Sequence, residues 1–176
     1  MPPGPLHCAG RLNLGVGCHR MRNWLACLLT AAALLGCASS NSVSRQVERY
    51  RVLAAEPTPA EWQAGAVWTF IITDHSGSQS TLTFRISDAA ADTCISGNWR
   101  ALELLDGEPG SLAGTPSIPA ALVEGRNLWI SLTSNWCDLN NDLKGELQGD
   151  TFSGQRTSGG MTGSTVIGQV QGWRVK

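Results

Sequence analysis

The chain has 176 residues, and its 13 Lys and Arg side chains almost balance its 14 Asp and Glu side chains. Charged residues make up only 15% of the sequence, whereas there are 20 glycines. This composition excludes a disordered acidic chain, a coiled coil and a basic nucleic-acid-binding protein. The length and the glycine content predict a single β-rich domain with terminal extensions.

The N-terminal region has the features of a signal peptide. Residues 24–35 (WLACLLTAAALL) form an uncharged apolar stretch that follows Arg22. A helix that spans a bilayer needs about 20 apolar residues, so this shorter stretch is typical of the hydrophobic region of a signal peptide. We interpret the Pro- and Gly-rich residues 1–20 as an over-extended start. The signal peptide is then expected to begin at Met21 and to span residues 21–36.

The apolar stretch ends in Leu34-Leu35-Gly36-Cys37, followed by Ala38. This ending resembles the lipobox of bacterial lipoproteins, in which small or branched residues precede an obligatory cysteine. The resemblance implies cleavage between Gly36 and Cys37, lipid attachment (diacylglyceryl, then usually an acyl chain such as palmitate) at Cys37, and a place in the bacterial cell envelope. Because Ala38 and not Asp follows Cys37, it also favours the outer membrane, facing the periplasm. The alternative is an ordinary secretory signal that happens to end in cysteine.

Processing would change the charge of the chain. Arg11, Arg20 and Arg22 precede Cys37, so 10 of the 13 basic residues would remain beside all 14 acidic ones, for a net charge of −4. An acidic domain has no electrostatic attraction to nucleic acid or to anionic lipid. We therefore expect no nucleic-acid partner, and we expect the acyl chains on Cys37 to supply the attachment to the membrane.

Two cysteines would remain free after processing. Cys8, Cys18 and Cys27 leave with the signal peptide and Cys37 is lipidated, which leaves Cys94 and Cys137. In an oxidising compartment we expect these two to form one intramolecular disulfide. The alternative is a redox-active or metal-binding pair, but neither a C-x-x-C spacing nor a cluster of histidines supports it.

The segment after Cys37 is predicted to link the anchor to the folded domain. Residues 38–46 are small and polar, as in a flexible tether. Apolar residues then recur at helical spacing, which predicts a short helix over residues 44–55 that Pro57 terminates. We assign residues 37–57 to the lipidated cysteine, tether and helix, and residues 58–176 to the β-domain.

The rest of the chain alternates apolar and polar residues, which is the pattern of β-strands. The clearest pair is 66–73 and 80–87, separated by the turn cluster Asp74 to Ser78, and it predicts a hairpin. Residues 105–120, rich in Gly, Pro and Ser, are predicted to form a long loop. Further strands are predicted at residues 97–104, 121–123, 127–133, 142–148, 151–157 and 164–176.

About eight antiparallel strands joined mostly by short turns predict either an up-and-down barrel or a β-sandwich. Glycines on one face of the later strands favour the barrel, because large side chains of the first strands can pack against them. These glycines are Gly145, Gly154, Gly168 and Gly172. The architecture resembles that of lipocalin-type calycin barrels, although the chain lacks a lipocalin signature.

No familiar catalytic motif is present, and we expect neither enzymatic activity nor a cofactor. Asp74-His75-Ser76 consists of adjacent residues, which cannot converge as a catalytic triad does. Asp138, Asn140 and Asp142 have the D-x-N-x-D spacing of a calcium loop, but the Gly and Glu that an EF-hand needs further on are missing. We therefore predict no metal site.

Six tryptophans follow Cys37, and Trp129 is the best candidate for a ligand-binding residue, because it lies opposite the apolar face of its strand. We expect a non-catalytic envelope protein whose barrel acts as a scaffold or contacts a protein or the cell wall. The alternative is a carrier that binds a small apolar ligand inside a lipocalin-like barrel.

Overall fold

A computed structural model describes residues 43–109, 111–112 and 115–176. The unit Ser44–Lys176 contains all of the strands within the described residues. Residues 1–20, the signal peptide over 21–36, the cleavage site at Gly36 and the lipidated Cys37 all lie outside the described residues, and these remain predictions.

In the part of the chain that the structure describes, one helix precedes the strands. This helix, α1, spans residues 43–55 and agrees with the predicted 44–55, so the last residues of the predicted tether are helical. It ends two residues before Pro57, because the ring of proline disfavours a helical conformation of the preceding residue. The strands follow in the order β1 (Val67–Asp74), β2 (Gln79–Ala90), β3 (Arg100–Asp106), β4 (Ser111–Leu112), β5 (Thr115–Pro116), β6 (Ala120–Glu124), β7 (Asn127–Ser131), β8 (Leu139–Gln148), β9 (Thr151–Gly160) and β10 (Gly163–Val175).

Eight of these strands form a closed barrel with the order β1-β10-β9-β8-β7-β6-β3-β2, and every neighbouring pair is antiparallel. The prediction of an up-and-down barrel is therefore confirmed. The alternative, a β-sandwich, is excluded because β1 pairs along its whole length with β10, from Val67↔Val175 to Asp74↔Gly168. This pairing joins the first and last strands of the domain.

The structure corrects the predicted third strand and the predicted long loop. The third strand begins at Arg100 and not at residue 97, because the chain before it turns back on itself: the backbone N–H of Ala91 donates to the carbonyl of Trp99 over 3.0 Å. Within residues 105–120, the strands β4 and β5 pair with each other as a separate two-stranded ribbon. The segment is thus a connection with its own local hydrogen bonds.

Large apolar side chains fill the barrel from one face of each strand. On β1, Trp68, Phe70 and Ile72 are at most 2% exposed, and they alternate with half-buried residues. The same cluster contains side chains of other barrel strands, including Leu82, Phe84, Leu128, Ile130, Leu143, Leu147, Phe152 and Val170. Burial of this continuous apolar cluster is the main stabilising contribution to the fold.

The predicted pairing of large residues with glycines is present inside the barrel. A Cβ at Gly145 would lie 2.8 Å from Cζ of Phe152, and a Cβ at Gly154 would lie 2.7 Å from the same atom. Likewise, a Cβ at Gly172 would lie 2.6 Å from Cδ1 of Phe70. Gly145 and Gly154 are opposite each other on β8 and β9, so the ring of Phe152 covers two glycines at once.

Candidate functional site

The C-terminal end of α1 is attached to the outside of the barrel at the turn between β6 and β7. The carbonyl of Leu53 accepts a hydrogen bond from the backbone N–H of Arg126 over 2.9 Å. Gly125, in the same turn, has a φ of +59°, and a Cβ there would lie only 2.1 Å from the carbonyl oxygen of Leu53. Only glycine combines this backbone conformation with so close an approach of the helix.

Ion pairs reinforce this attachment. The guanidinium of Arg126 binds Glu56 just beyond α1, with Nη1 2.8 Å from Oε2, and it also binds Glu146 on β8. The side chain of Glu146 is only 10% exposed. It also forms an ion pair with Arg49 of α1, whose Nη2 lies 2.9 Å from Oε2 of Glu146. A carboxylate shared by two guanidinium groups thus joins the helix to the barrel wall.

Tyr50 contributes a further link between α1 and the barrel. Its hydroxyl donates to Oε2 of Glu124 at the end of β6, and its backbone carbonyl accepts from the side-chain amide of Asn127 over 3.0 Å. The hydrogen bond to Glu124 raises the pKa of Tyr50 to about 12, with smaller contributions from burial and from the charge of Glu124. Ionised tyrosine could not donate to the carboxylate, so this contact requires the neutral phenol.

We expect Tyr50 to ionise at an unusually alkaline pH. Its raised pKa means that the contact with Glu124 favours the attached helix below pH 10 and is lost as the pH rises through about 12. Tyr50 is the single tyrosine of the chain, so tyrosinate absorbance after a rapid jump to alkaline pH reports this residue alone. Glu124→Gln should bring the midpoint back towards the ordinary value near 10. A midpoint near 10 in the unsubstituted protein would contradict the contact.

A groove of about 810 Å³ lies between α1 and the barrel wall. Gln46, Arg49, Tyr50 and Leu53 line its helical side. Its opposite side is formed by the strands β6 to β10, mostly by side chains that point away from the barrel interior. These include Leu122, Trp129, Lys144, Ser153, Gln155, Gln169 and Gln171.

Trp129, the predicted ligand-binding residue, lies in this groove. As predicted, it points away from the buried Leu128 and Ile130, but it is half-buried because two residues cover it. The ring of Trp99 packs edge-on against it with 5.0 Å between the centroids, and Nζ of Lys144 lies 3.9 Å from its ring centroid. The second contact is a cation–π interaction.

Lys144 also neutralises a fully buried carboxylate. Its Nζ lies 3.1 Å from Oδ2 of Asp142, which is 0% exposed. Asp142 belongs to the D-x-N-x-D pattern of Asp138, Asn140 and Asp142. Among the residues that the structure describes, no group of three or more His, Cys, Asp or Glu side chains could hold a metal ion.

Outward-facing side chains continue the groove around the barrel. The register places five outward-facing residues in one row across adjacent strands: Trp129, Lys144, Gln155, Gln169 and Thr73. At a strand spacing of about 4.8 Å, this row is about 19 Å long. The side-chain amides of Gln155, Gln169 and Gln171 are exposed and make no hydrogen bond to any other described residue.

The turn that contains His75 is stabilised by hydrogen bonds of Asp74 with Ser76 and Ser78. Oδ1 of Asp74 accepts hydrogen bonds from the hydroxyl of Ser76 over 2.7 Å and from the backbone N–H groups of Ser76 and Ser78. These bonds, the Ser76 hydroxyl above all, lower the pKa of Asp74. Asp74 and Ser76 therefore bind each other within a turn between β1 and β2.

The structure contains the Cys94–Cys137 disulfide, with the two Cα atoms 5.2 Å apart. It joins the connection between β2 and β3 to the connection between β7 and β8, and beside it the backbone N–H of Cys94 donates to the carbonyl of Ser134 over 3.3 Å. The first of these connections ends at Trp99, which packs on Trp129. The disulfide therefore stabilises the segment that leads to one end of the groove.

Arg156 is a polar residue at the interior face that sequence reasoning missed. It is opposite Leu143 and Gly168 in the register, so it faces inward at the end of the barrel that carries the turn between β1 and β2. Its Nε donates to Oδ1 of Asn141 over 2.9 Å. Burial lowers its pKa, an effect that the charge of Asp74 opposes.

Comparison of the chain with protein-family models, with curated proteins and with solved structures finds no match. Within the described residues, no helix has the length and the apolar character needed to cross a membrane. The functional interpretation therefore depends on the residues themselves.

Proposed function

We propose that the protein is a lipid-anchored protein of the bacterial cell envelope whose barrel is a non-catalytic interaction module. The surface that makes the interaction is the outer groove between α1 and the strands β6 to β10. The observation that carries this proposal is the contrast between the two faces of the barrel wall. Apolar side chains fill the inner face, whereas the outer face carries an open groove whose glutamine amides have no hydrogen-bond partner among the described residues.

The filled interior is the reason to prefer this function to the carrier of a small apolar ligand. Phe152 covers Gly145 and Gly154, so its ring occupies the space beside Gly145 that a ligand would need. Arg156 adds a half-buried charge at one end of the interior, where an apolar ligand would leave it without water. A carrier would have to displace a packed aromatic ring and desolvate a guanidinium.

The proposed anchor depends on the lipobox resemblance at Leu34 to Cys37. Acyl chains on Cys37 would hold the protein at the membrane, and Ala38 favours the outer membrane with the barrel facing the periplasm. An envelope location agrees with the disulfide, because disulfides persist in oxidising compartments. A protein or a component of the cell wall would then be within reach of the groove.

Site-specific photo-cross-linking in the bacterial host tests this function. A photo-reactive benzoylphenylalanine replaces Gln155 in the groove or, as a matched control, Gln63, an exposed glutamine that does not line the groove. We expect a discrete macromolecular adduct from position 155 and none from position 63. Adducts that are absent, or identical at the two positions, would overturn the proposed role of the groove.

The same cells test the anchor if they are grown with labelled palmitate. We expect the label on the unsubstituted protein and its complete loss in Cys37→Ala, which should accumulate as unprocessed precursor. The cross-link from position 155 should weaken in this variant, because the groove is no longer held at the membrane. Normal labelling of Cys37→Ala would refute the anchor.

A further inference from the structure

We infer that the groove binds an uncharged oligosaccharide, which lies along the row from Trp129 to Thr73 on the outside of the barrel. This inference rests on the proposed function. It specifies the chemical class of the partner that the interaction module binds, a neutral glycan. It follows from three features of the described residues. The charged side chains in the groove already have partners within the protein, the glutamine amides make no hydrogen bond to other described residues, and the surface is elongated.

Each of the charged side chains in the groove has a partner within the protein. Arg49 binds Glu146, Lys144 binds Asp142, and Glu124 accepts the hydroxyl of Tyr50. A charged ligand would have to compete with these contacts, and the loss of the Lys144 contact would leave the buried carboxylate of Asp142 unpaired, which is costly. The groove therefore favours a ligand without formal charge.

The amides provide the matching chemistry for such a ligand. Each of Gln155, Gln169 and Gln171 offers two N–H donors and a carbonyl acceptor, and all are unpaired within the described chain. Sugar hydroxyls both donate and accept hydrogen bonds, so neighbouring hydroxyls of one ring can be satisfied by neighbouring amides. An acyl chain would instead cover these polar groups without hydrogen-bonding to them, at a free-energy cost for each.

Aromatic residues lie at both ends of the amide surface. Trp129 lies at the groove end, and the 41% exposed Trp173 lies beyond Gln171 on β10. A second hollow of about 310 Å³ contains Trp173 and Thr73 and shares Gln169 and Gln171 with the groove. The exposed ring of Trp173 can pack against the C–H face of a sugar ring, whereas Trp99 and Lys144 already cover the ring of Trp129.

The continuity of the two hollows indicates an oligomer and not a single sugar. The row spans about 19 Å across five strands, which is longer than one ring can cover. The strands of a closed barrel have no free edges, so an extended peptide could not add itself to the sheet as a further strand. Binding must therefore use side chains, as the amides and tryptophans here allow.

Calorimetric titration of the full protein, purified from its envelope in a detergent without a sugar headgroup, tests this inference. The probe is the uncharged β-linked tetramer of N-acetylglucosamine. We expect saturable binding with a stoichiometry of one. The double variant Gln155→Ala/Gln169→Ala should weaken it at least tenfold, whereas Gln63→Ala should leave it unchanged. All three positions are exposed, so these substitutions should preserve the fold.

The outcomes separate this inference from the function on which it rests. Absence of binding, or equal binding by the double variant, would overturn the glycan proposal. If position 155 nevertheless gives a specific cross-link to an envelope protein in the host, the interaction module stands and its partner is a protein. If cross-links are also absent, both proposals fail.

Discussion

Replacement of Phe152 with alanine should destabilise the barrel by about 3–5 kcal/mol. Phe152 is 3% exposed, and its ring packs edge-on against Phe70 with 5.5 Å between the centroids. It also covers Gly145 and Gly154, which have no side chains that could move into the vacated space. The cavity would therefore persist, and loss of apolar contacts would add to the loss of buried area.

Chemical denaturation followed by tryptophan fluorescence measures this effect. Trp173→Ala provides a control, because Trp173 is also a large aromatic residue but is 41% exposed, and it should cost less than about 1 kcal/mol. Equal effects of the two substitutions would mean that Phe152 does not fill the interior. That result would favour the alternative function, a carrier that binds a small apolar ligand inside the barrel.

The strands were predictable because the two faces of each strand meet different surroundings. On β1, Trp68, Phe70 and Ile72 point into a packed interior, so their spacing of two residues is visible in the sequence. The glycines on β8 and β9 were likewise predictable as the small partners of large residues. Both patterns arise from neighbours in the sequence or on the same face of one sheet.

Closure of the barrel could not be decided in the same way. A β-sandwich and a barrel produce the same alternation of apolar and polar residues along each strand. What distinguishes them is the pairing of Val67 with Val175, between residues at opposite ends of the domain. The glycines favoured a barrel, but the pairing itself leaves no local pattern.

The groove was still less accessible to sequence reasoning. Its wall exists because α1 is attached to the barrel by contacts between residues that are far apart in the chain: Arg49 and Glu146 are 97 positions apart, and Glu56 and Arg126 are 70 apart. Trp129 was correctly placed on the outer face. Its half-buried state was not predictable, because Trp99 reaches it from the connection that the disulfide holds.

Removal of the disulfide should lower the free energy of unfolding by about 4 kcal/mol. Cys94 and Cys137 are 43 positions apart, and the bond restricts the unfolded chain by closing this loop. The barrel should nevertheless survive in Cys94→Ser/Cys137→Ser, because its strands are joined by backbone ladders that do not include either cysteine. The double serine variant should therefore remain folded but unfold at lower denaturant concentration.

Denaturation with and without reductant separates this structural role from a redox role. Reductant should lower the midpoint of the unsubstituted protein to that of the double variant and should leave the variant unchanged. Near-ultraviolet circular dichroism should change as well, because the segment that the bond restrains ends at Trp99, which packs on Trp129. If both thiols react in the native protein without reductant, and the midpoint does not move, Cys94 and Cys137 are not bonded. The loop that leads to Trp99 would then depend on its hydrogen bonds alone.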